Sequence, residues 1–295
     1  MTFTWSTRET AHRVVFGGRL AVVLAGWLAT VAPIQAQQGA TSSRAEGWVF
    51  TWSLSASADG REMSAAQMLL DVAVWRGSVR ISVRSGALRL MTGDNGAIVM
   101  RAADSVLSVI NPARREVLQG TAAEIGAFGR GAGGSIPLVV SDVGGSVQLV
   151  GVAPELEGFA ARRVDISERY SLTFRAPTMQ RTVRTEQVIT LDVSRAVDRL
   201  DPGFRAFAER FAVAIGVPGA VRDALRAVER RVPAGFPIRS VNVATTISAD
   251  DTVRTVTRTV VTGLKRAVLD TTGFVVPAGY RVTEMRRLLQ PRRQP

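Results

Sequence analysis

Residues 78–100, SVRISVRSGALRLMTGDNGAIVM, decide the fold class of this chain. In SVRISVR (78–84) apolar and polar residues alternate, and this period of two predicts a strand with one buried face. Asn95 and Gly96 then lie between two apolar runs, and Asn-Gly is typical of a tight β-hairpin because both residues tolerate positive φ angles. The stretch therefore predicts antiparallel strands, with ALRLM before the turn and AIVM after it.

The same alternation recurs along most of the chain. It begins in GWVFTWSLSAS (47–57) and continues through SIPLVVSDV, SVQLVGV, ARRVDISERYSLTF and TVRTEQVITLDV. Near the C-terminus, FPIRSVNVATTIS and TVRTVTRTVVTGL predict a closing hairpin that turns at Asp250 and Asp251. Strands joined by short turns indicate a large antiparallel sheet with one solvated face.

A helical pair interrupts the strands. Asp201 is typical of an N-cap and Pro202 of a first helical position, where the missing N–H costs nothing. Gly216 and Pro218 are expected to end this helix, and GAVRDALRAVERRV (219–232) predicts a second one. We therefore predict an α+β fold, in which a curved antiparallel β-sheet, half-barrel-like, carries the helical pair on its concave side. Residues 46–285 are expected to form this single domain.

The first 36 residues have the layout of a secretory signal peptide. Three arginines precede the apolar run LAVVLAGWLATVA, Pro33 follows it, and Ala36 is a small residue suited to cleavage. The alternative is an anchor that stays attached, but a spanning helix needs about 20 apolar residues and this run is shorter. We expect cleavage near Ala36, a disordered leader at 37–45, and a periplasmic or secreted protein.

The composition excludes several classes of catalysis. The chain has no cysteine, and its one histidine, His12, lies in the predicted signal peptide. Ser-His-Asp and Cys-His catalysis and the usual zinc sites are therefore excluded for the exported protein. We expect no enzymatic activity, no catalytic residue, no cofactor and no metal.

A carboxylate-dependent hydrolase is one functional hypothesis, and three acidic pairs are its candidate catalytic residues. Each lies at a predicted turn, where Asp and Asn are favoured because their side chains bond to nearby backbone. The pairs are Asp94 with Asn95, Glu155 with Glu157, and Asp250 with Asp251. The string GRGAGG, Gly129 to Gly134, matches the dinucleotide pattern G-x-G-x-x-G, but it leads into a strand instead of opening a helix, so we interpret it as a connection.

Six aromatic residues are candidate ligand-lining residues. One phenylalanine set recurs at helical spacing and is either core or the aromatic surface of an apolar pocket. Three tryptophans either line the same concavity or fill it. The candidates are Phe204, Phe207, Phe211, Trp48, Trp52 and Trp75.

The net charge of +12 favours anionic partners such as phospholipid headgroups or lipopolysaccharide. Residues 286–295, RRLLQPRRQP, form a basic tail, and each basic residue near an anionic membrane contributes about 1 kcal/mol. The alternative is a solvated charge run. The tail arginines are Arg286, Arg287, Arg292 and Arg293. Because export separates the protein from nucleic acid, no nucleic-acid partner is expected.

The stretch DTTGFVVPAGYRVTEM (270–285) resembles no catalytic motif and is interpreted as structural. Pro277 and Gly279 are expected to form its turn, and Phe274 and Tyr280 to anchor it. The closing hairpin and this stretch together resemble the end of the exported bacterial family catalogued as domain of unknown function 4412. VWRGSVRISV, GAIVMRAADSVLSVINPARREV and LEGFAARRVDI are similar to its preceding strands.

The order of elements is also similar to the half-barrel of the Lol-type lipoprotein carriers. This resemblance implies a lipid or the acyl chain of a lipoprotein as the ligand. The leading hypothesis is thus a non-enzymatic exported protein that binds an apolar or amphiphilic ligand. The alternative is a structural or protein-interaction module of the cell envelope, whose core is filled by its own side chains.

Overall fold

Residues 44–101, 104, 106–129, 138–176, 179–215 and 219–289 are described by the computed structural model. Within them the protein is mostly β, with one large mixed sheet that does not close and six helices. Several predicted features lie outside the described residues: the signal peptide, leader residues 37–43, residues 130–134 of the glycine-rich string, Gly216, Pro218, Arg292 and Arg293.

Thirteen strands belong to this sheet. They are β1 Arg44–Ala58, β2 Arg61–Glu62, β3 Met68–Trp75, β4 Ser78–Ser85, β5 Ala97–Arg101, β6 Val106–Asn111, β7 Glu116–Thr121, β8 Leu138–Leu156, β9 Phe159–Ala176, β10 Met179–Ser194, β11 Phe236–Ile247, β12 Thr252–Asp270 and β13 Arg281–Glu284. The order is β13-β7-β6-β5-β4-β3-β1-β12-β11-β10-β9-β8, with β2 beside β1. β13 runs parallel to β7 and the other pairs are antiparallel, so the sheet is mixed and not purely antiparallel as predicted.

The helices are α1 Arg89–Thr92, α2 Ala122–Gly129, α3 Arg195–Asp198, α4 Pro202–Ile215, α5 Gly219–Glu229 and α6 Met285–Leu289. The predicted N-cap is confirmed, because Asp201 Oδ1 accepts hydrogen bonds from the backbone N–H of Gly203 and of Gly77, both at 2.7 Å. The second bond also ties the start of α4 to the turn between β3 and β4.

Helices α4 and α5 pack on the same face of the sheet. Residues directly opposite each other on neighbouring strands share a face, and one such row joins Leu54, Thr259, Ser240, Leu191 and Val164. Phe207 of α4 packs on β1 at one end of this row, through Phe50. Val228 of α5 packs on Val164 and Leu191 at the other end. We call this side the helix-covered face.

The opposite face is crossed by the residues between β12 and β13. Phe274 is 3% exposed and its ring lies 5.8 Å from that of Trp75. Val276 and Tyr280 pack on a cluster formed by Val99, Ile110 and Val117 of β5 to β7. Residues 271–280 are therefore a strap across the sheet, and the predicted anchoring by Phe274 and Tyr280 is confirmed.

Two predictions for individual strands are wrong. ALRLM (87–91), expected to be a strand, overlaps α1, in which Thr92 Oγ1 donates to the carbonyl of Leu88 and which Gly93 ends at a φ angle of 68°. SIPLVVSDV and SVQLVGV, expected as separate strands, contribute to the single strand β8, whose register shifts instead of breaking at Ser141 to Gly144. Such irregularities absorb an extra residue and bend a strand without ending it.

Candidate functional site

The predicted phenylalanine stripe lies in the core. Phe204 and Phe211 are fully buried and Phe207 is 1% exposed. Phe207 and Phe211 stack with ring centroids 5.1 Å apart, and Phe207 meets Phe50 edge to face at 5.5 Å. Phe236 completes the cluster, 5.1 Å from Phe204. These rings bury one another, as expected for ordinary core packing.

The three tryptophans do not share one environment. Trp52 is buried and meets Phe211 edge to face at 5.7 Å, while Trp48 is half-buried and borders Phe204 at 6.5 Å. Trp75 follows Val74, which is on the helix-covered face, so Trp75 points to the other face and meets Phe274 of the strap. The structure therefore brings together five of the six candidate residues and separates Trp75 from them.

A row of buried polar side chains lies on the same helix-covered face, across β9, β10 and β11. We call Glu168, Gln187, Asn242 and Thr246 the polar row; their exposed fractions are 4%, 5%, 2% and 6%. Glu168 lies opposite Gln187, and Gln187 opposite Ala244, between Asn242 and Thr246 on β11. Polar groups are seldom buried this deeply unless they are hydrogen-bonded.

Hydrogen bonds link part of the polar row. Asn242 Nδ2 donates to Gln187 Oε1 at 3.3 Å, and Gln187 Nε2 donates to the carboxyl group of Glu168. Among the described residues, two buried side-chain atoms have no hydrogen-bond partner, and both belong to this row: Asn242 Oδ1 and Thr246 Oγ1. The row thus presents oxygen atoms that still have hydrogen-bonding capacity.

Helix α5 adds a second carboxyl group. Val228 packs over Gly145, where an added Cβ would lie 3.0 Å from a Val228 methyl group, and Gly145 is the β8 residue opposite Glu168. The next residue, Glu229, is 7% exposed. Burial raises the pKa of Glu168 to about 7, although the hydrogen bond from Gln187 opposes the shift. Burial and the neighbouring charge of Glu168 raise the pKa of Glu229 to about 8.

Apolar clusters flank the polar row on both sides. Ile166 and Ile189 belong to the cluster under Val228, and Tyr170 belongs to the cluster under Val221 and Leu225 of α5. Along β9 the inward-facing residues on both sides of Glu168 are therefore apolar. A polar centre between apolar flanks suits a ligand that has both kinds of group.

The acidic pairs predicted from the sequence lie at or beside turns. Asp94 is exposed and pairs with Arg89, and Asn95 has a φ angle of 58°. Glu157 has a φ angle of 46° in the turn after β8, and Asp250 and Asp251 lie between β11 and β12. Of the predicted tail, Arg286 and Arg287 lie in α6, are exposed, and each approaches Glu284 at 3.5 Å.

Sequence reasoning missed the polar row and Glu229. The available signal was phase: in ARRVDISERY, Glu168 occupies the same period-two phase as Val164, Ile166 and Tyr170. Gln187 likewise falls in phase with Ile189 and Leu191. A polar residue in the buried phase of a strand marks either a hydrogen-bonded core group or a site.

The fold and this row define a mostly β protein with a buried polar centre under a helix. No family model matches the chain, and no curated protein matches it significantly. The resemblances to the domain of unknown function 4412 family and to the Lol-type carriers stay predictions. In the described ranges, no helix has the length and apolar character that crossing a membrane requires.

Proposed function

We propose that this protein is an exported, non-enzymatic binding protein for an amphiphilic ligand such as a lipid or the acyl chain of a lipoprotein. The ligand would lie on the concave side of a half-barrel-like sheet, under the helical pair. The observation that carries the proposal is the polar row, with two unpartnered atoms, Asn242 Oδ1 and Thr246 Oγ1, between apolar clusters. An unpartnered buried polar atom costs about 1–3 kcal/mol, and a ligand that supplies its partner offsets that cost.

Access to the polar row depends on α5. The row is covered, with Glu168 4% exposed, and Val228 sits directly over Gly145 of β8. Apolar side chains of α5 pack on the sheet through Val221, Leu225 and Val228. A ligand chain therefore reaches the row when α5 moves away from β8 and β9, and would replace the apolar contacts of the helix with its own.

The test uses protein exported and purified without detergent, examined by native mass spectrometry with solvent extraction in parallel. Wild-type protein is expected to carry a stoichiometric amphiphile. Thr246→Val keeps the side-chain shape and removes the unpartnered hydroxyl, so the ligand occupancy should fall. Thr262→Val, at an exposed position of β12, is the matched control and should keep the ligand. A ligand-free mass for wild-type protein, with no extractable lipid and no uptake of added detergent-like probes, would contradict the proposal.

The second candidate is a structural or interaction module of the cell envelope. The observation in its favour is the aromatic cluster, where Phe204, Phe207 and Phe211 pack on one another and on Phe50. Rings that pack on one another in this way favour the interpretation of these residues as core over their interpretation as ligand lining. Truncation of Phe207 distinguishes the two roles, because a core ring and a ring that lines a space differ in what their loss costs the free energy of unfolding.

Membrane contact through the basic tail is a separate part of the proposal. Arg286 and Arg287 are exposed, and Arg292 and Arg293 follow them in the chain. Four basic residues near an anionic surface would together contribute about 4 kcal/mol at low salt. Co-sedimentation with anionic vesicles should fall when the four arginines are replaced by glutamine, and should fall as salt rises. Equal sedimentation of both proteins would leave the tail as a solvated charge run.

A further inference from the structure

We propose that two copies of this chain associate through β8. Each β8 pairs with the β8 of the second copy, antiparallel and with Val147 at the centre, so that the two sheets continue into one. This association does not require the ligand of the proposed function. The occupant of the edge is a second copy because the residues of β8 are complementary to one another in this pairing.

Strand β8 has a long free edge. In the strand order of the described residues it is the last strand and pairs with β9 alone. It has 19 residues, whereas β13 at the other end of the sheet has four. Such an edge presents unpaired N–H and C=O groups that another strand can bind. The free part ends before Ala153, because Ala153 and Leu156 are 3% and 8% exposed and belong to the core.

Apolar side chains are exposed along this edge. Thirteen large hydrophobic residues are exposed in the described part of the chain, and five of them belong to β8. These five are Val139, Val143, Leu149, Val150 and Val152. Exposed apolar side chains on a long edge strand are typical of a surface that pairs with another chain.

The charge of β8 also differs from that of the rest of the protein. The chain carries 37 lysines and arginines and a net charge of +12, but β8 has none of either residue. Lysine and proline commonly protect sheet edges from pairing, and residues 138–153 contain neither. Because a strong positive charge opposes self-association, two copies meet most readily where neither presents a basic side chain.

The central part of β8 is regular. Between the two register shifts, Gly145 to Leu149 pair with β9 without interruption. Gly145 lies opposite Glu168 and Leu149 opposite Val164, so the odd-numbered residues of this segment are on the helix-covered face. Ser146 and Gln148 therefore point to the other face.

The segment GSVQL (145–149) is complementary to itself when two copies pair antiparallel about Val147. Leu149 then lies opposite Gly145 of the second copy, and Val147 opposite its own copy. Ser146 lies opposite Gln148, with which it can form a hydrogen bond. Residues directly opposite share a face, so apolar side chains meet on the helix-covered face and polar ones on the other. A shift by one residue would place polar side chains against apolar ones.

The helices leave room for this pairing. Helix α5 packs on β9 and β10 through Val228, which contacts the cluster that includes Val164 and Leu191. Neighbouring strands lie about 4.8 Å apart, so the two α5 helices would be separated by at least three strand spacings, about 14 Å. Packed helices need about 8–10 Å between their axes. Because Val228 packs over Gly145, Leu149 would lie beside Val228 of the second copy.

The first experiment measures the mass of the exported protein by sedimentation velocity over about a hundredfold range of concentration. One edge strand is a small interface beside the usual value of about 1,600 Å², so a dimer in equilibrium with the monomer is expected. Leu149→Lys, at a position 53% exposed, should raise the dissociation constant at least about tenfold. Val188→Lys, on the inner strand β10 and 47% exposed, is the matched control and should keep the dimer. Circular dichroism and Tm establish that each variant is folded.

The second experiment tests the register. The chain has no cysteine, so a single introduced thiol can form a disulfide only with a second copy. Val147→Cys places two thiols directly opposite each other, and mild oxidation should give a cross-linked dimer. Val152→Cys is the control, because Val152 is 90% exposed but lies ten positions from its copy along the pair, about 34 Å. It should cross-link far less although it is more accessible.

Four outcomes would overturn the inference. They are a wild-type protein that is monomeric at every concentration, a dimer that is weakened by Val188→Lys and not by Leu149→Lys, equal cross-linking of the two cysteine variants, and a monomer whose β8 instead binds a strand of a different protein. None of these outcomes depends on a bound amphiphile, so the proposed function stands or falls separately.

Discussion

Glu168 on β9 is buried beneath α5, Glu229 is buried at the end of that helix, and the charge of Glu168 raises the pKa of Glu229 further than burial alone. Val228 of α5 packs over Gly145, and Gly145 lies opposite Glu168, so the helix covers this part of β8 and β9. The docking of α5 should therefore weaken when both groups are ionised, since two negative charges in one apolar interface repel each other and are poorly solvated.

Protein stability should depend on Glu168 at high pH and not at low pH. The pKa of about 7 in the folded protein lies above the ordinary value of 4.5. Below pH 4.5 the carboxyl group is therefore protonated in both the folded and the unfolded state, and its burial as a charge does not lower the free energy of unfolding. Between pH 4.5 and 7 the carboxyl group ionises in the unfolded state but stays protonated in the folded state, so stability falls over this window and the loss levels off above pH 7 at about 3 kcal/mol. Glu168→Gln should therefore raise the free energy of unfolding at pH 8.5 and change it little at pH 4.5. Urea unfolding at both values measures this.

The control for Glu168 is Glu186→Gln on β10. Glu186 is exposed and paired with Arg184 at 2.5 Å, an arrangement that contributes little to stability in solvent. Its replacement should leave the difference between the two pH values as in wild-type protein. A Glu168→Gln variant with the same pH dependence as this control would show that the pKa of Glu168 is not raised in the folded state.

Thr246→Val should stabilise the ligand-free protein by about 1 kcal/mol, because the buried hydroxyl has no hydrogen-bond partner and valine has nearly the same shape. The matched change at the exposed Thr262 should have little effect. Thermal unfolding of protein stripped of ligand gives the comparison. A lower Tm for the Thr246 variant would mean that the hydroxyl already has a stabilising partner.

Phe207→Ala should cost about 3–5 kcal/mol, the range for a large core side chain. Phe207 is 1% exposed and contacts the rings of Phe50, Phe211 and Phe236. The control is Val152→Ala, since Val152 is 90% exposed and its truncation should cost little. A cost below about 1 kcal/mol at Phe207 would indicate a ring that lines a space and would revive its role as ligand lining.

Gly279→Val should destabilise the protein without affecting ligand binding. Gly279 has a φ angle of 76° in the strap, and a β-branched residue pays about 1–2 kcal/mol for that conformation. Ala278→Val, at the neighbouring exposed position of the same turn, is the control for the added volume. Chemical denaturation, together with native mass spectrometry for bound ligand, separates the two effects. Loss of binding in a variant of unchanged stability would refute the structural interpretation of the strap.

Asp201→Ala should weaken the start of α4 by about 1–2 kcal/mol. The carboxylate accepts from the N–H groups of Gly203 and Gly77, so its loss leaves two donors unsatisfied and detaches the helix from the turn between β3 and β4. Asp201→Asn preserves an acceptor and should restore most of the stability. Equal losses in both variants would indicate that charge, and not the hydrogen bonds, matters at this position.

Local patterns in the sequence determined most of the strands and the helical pair. Period-two alternation found β1, β4 and the closing hairpin, and the Asp-Pro signal found the start of α4, because each depends on neighbouring residues alone. The strap was recognised as structural from Pro277, Gly279 and two aromatic residues. Local reasoning was wrong at ALRLM, where the short helix Arg89–Thr92 replaces the strand that the apolar composition indicated.

Tertiary structure alone decided which side chains meet. The sequence separates Glu168 from Glu229 by 61 positions and from Asn242 by 74, and they come together through the register of β9 to β11 and the docking of α5. Trp75, by contrast, is separated from the other two tryptophans. Successive residues of a strand point to opposite faces, and Val74, not Trp75, lies opposite Trp48, so Trp75 is on the face opposite Trp48 and Trp52. Period and propensity describe how a segment buries one side, whereas a site depends on the order of strands and the position of the covering helix, which are set by packing over the whole sheet.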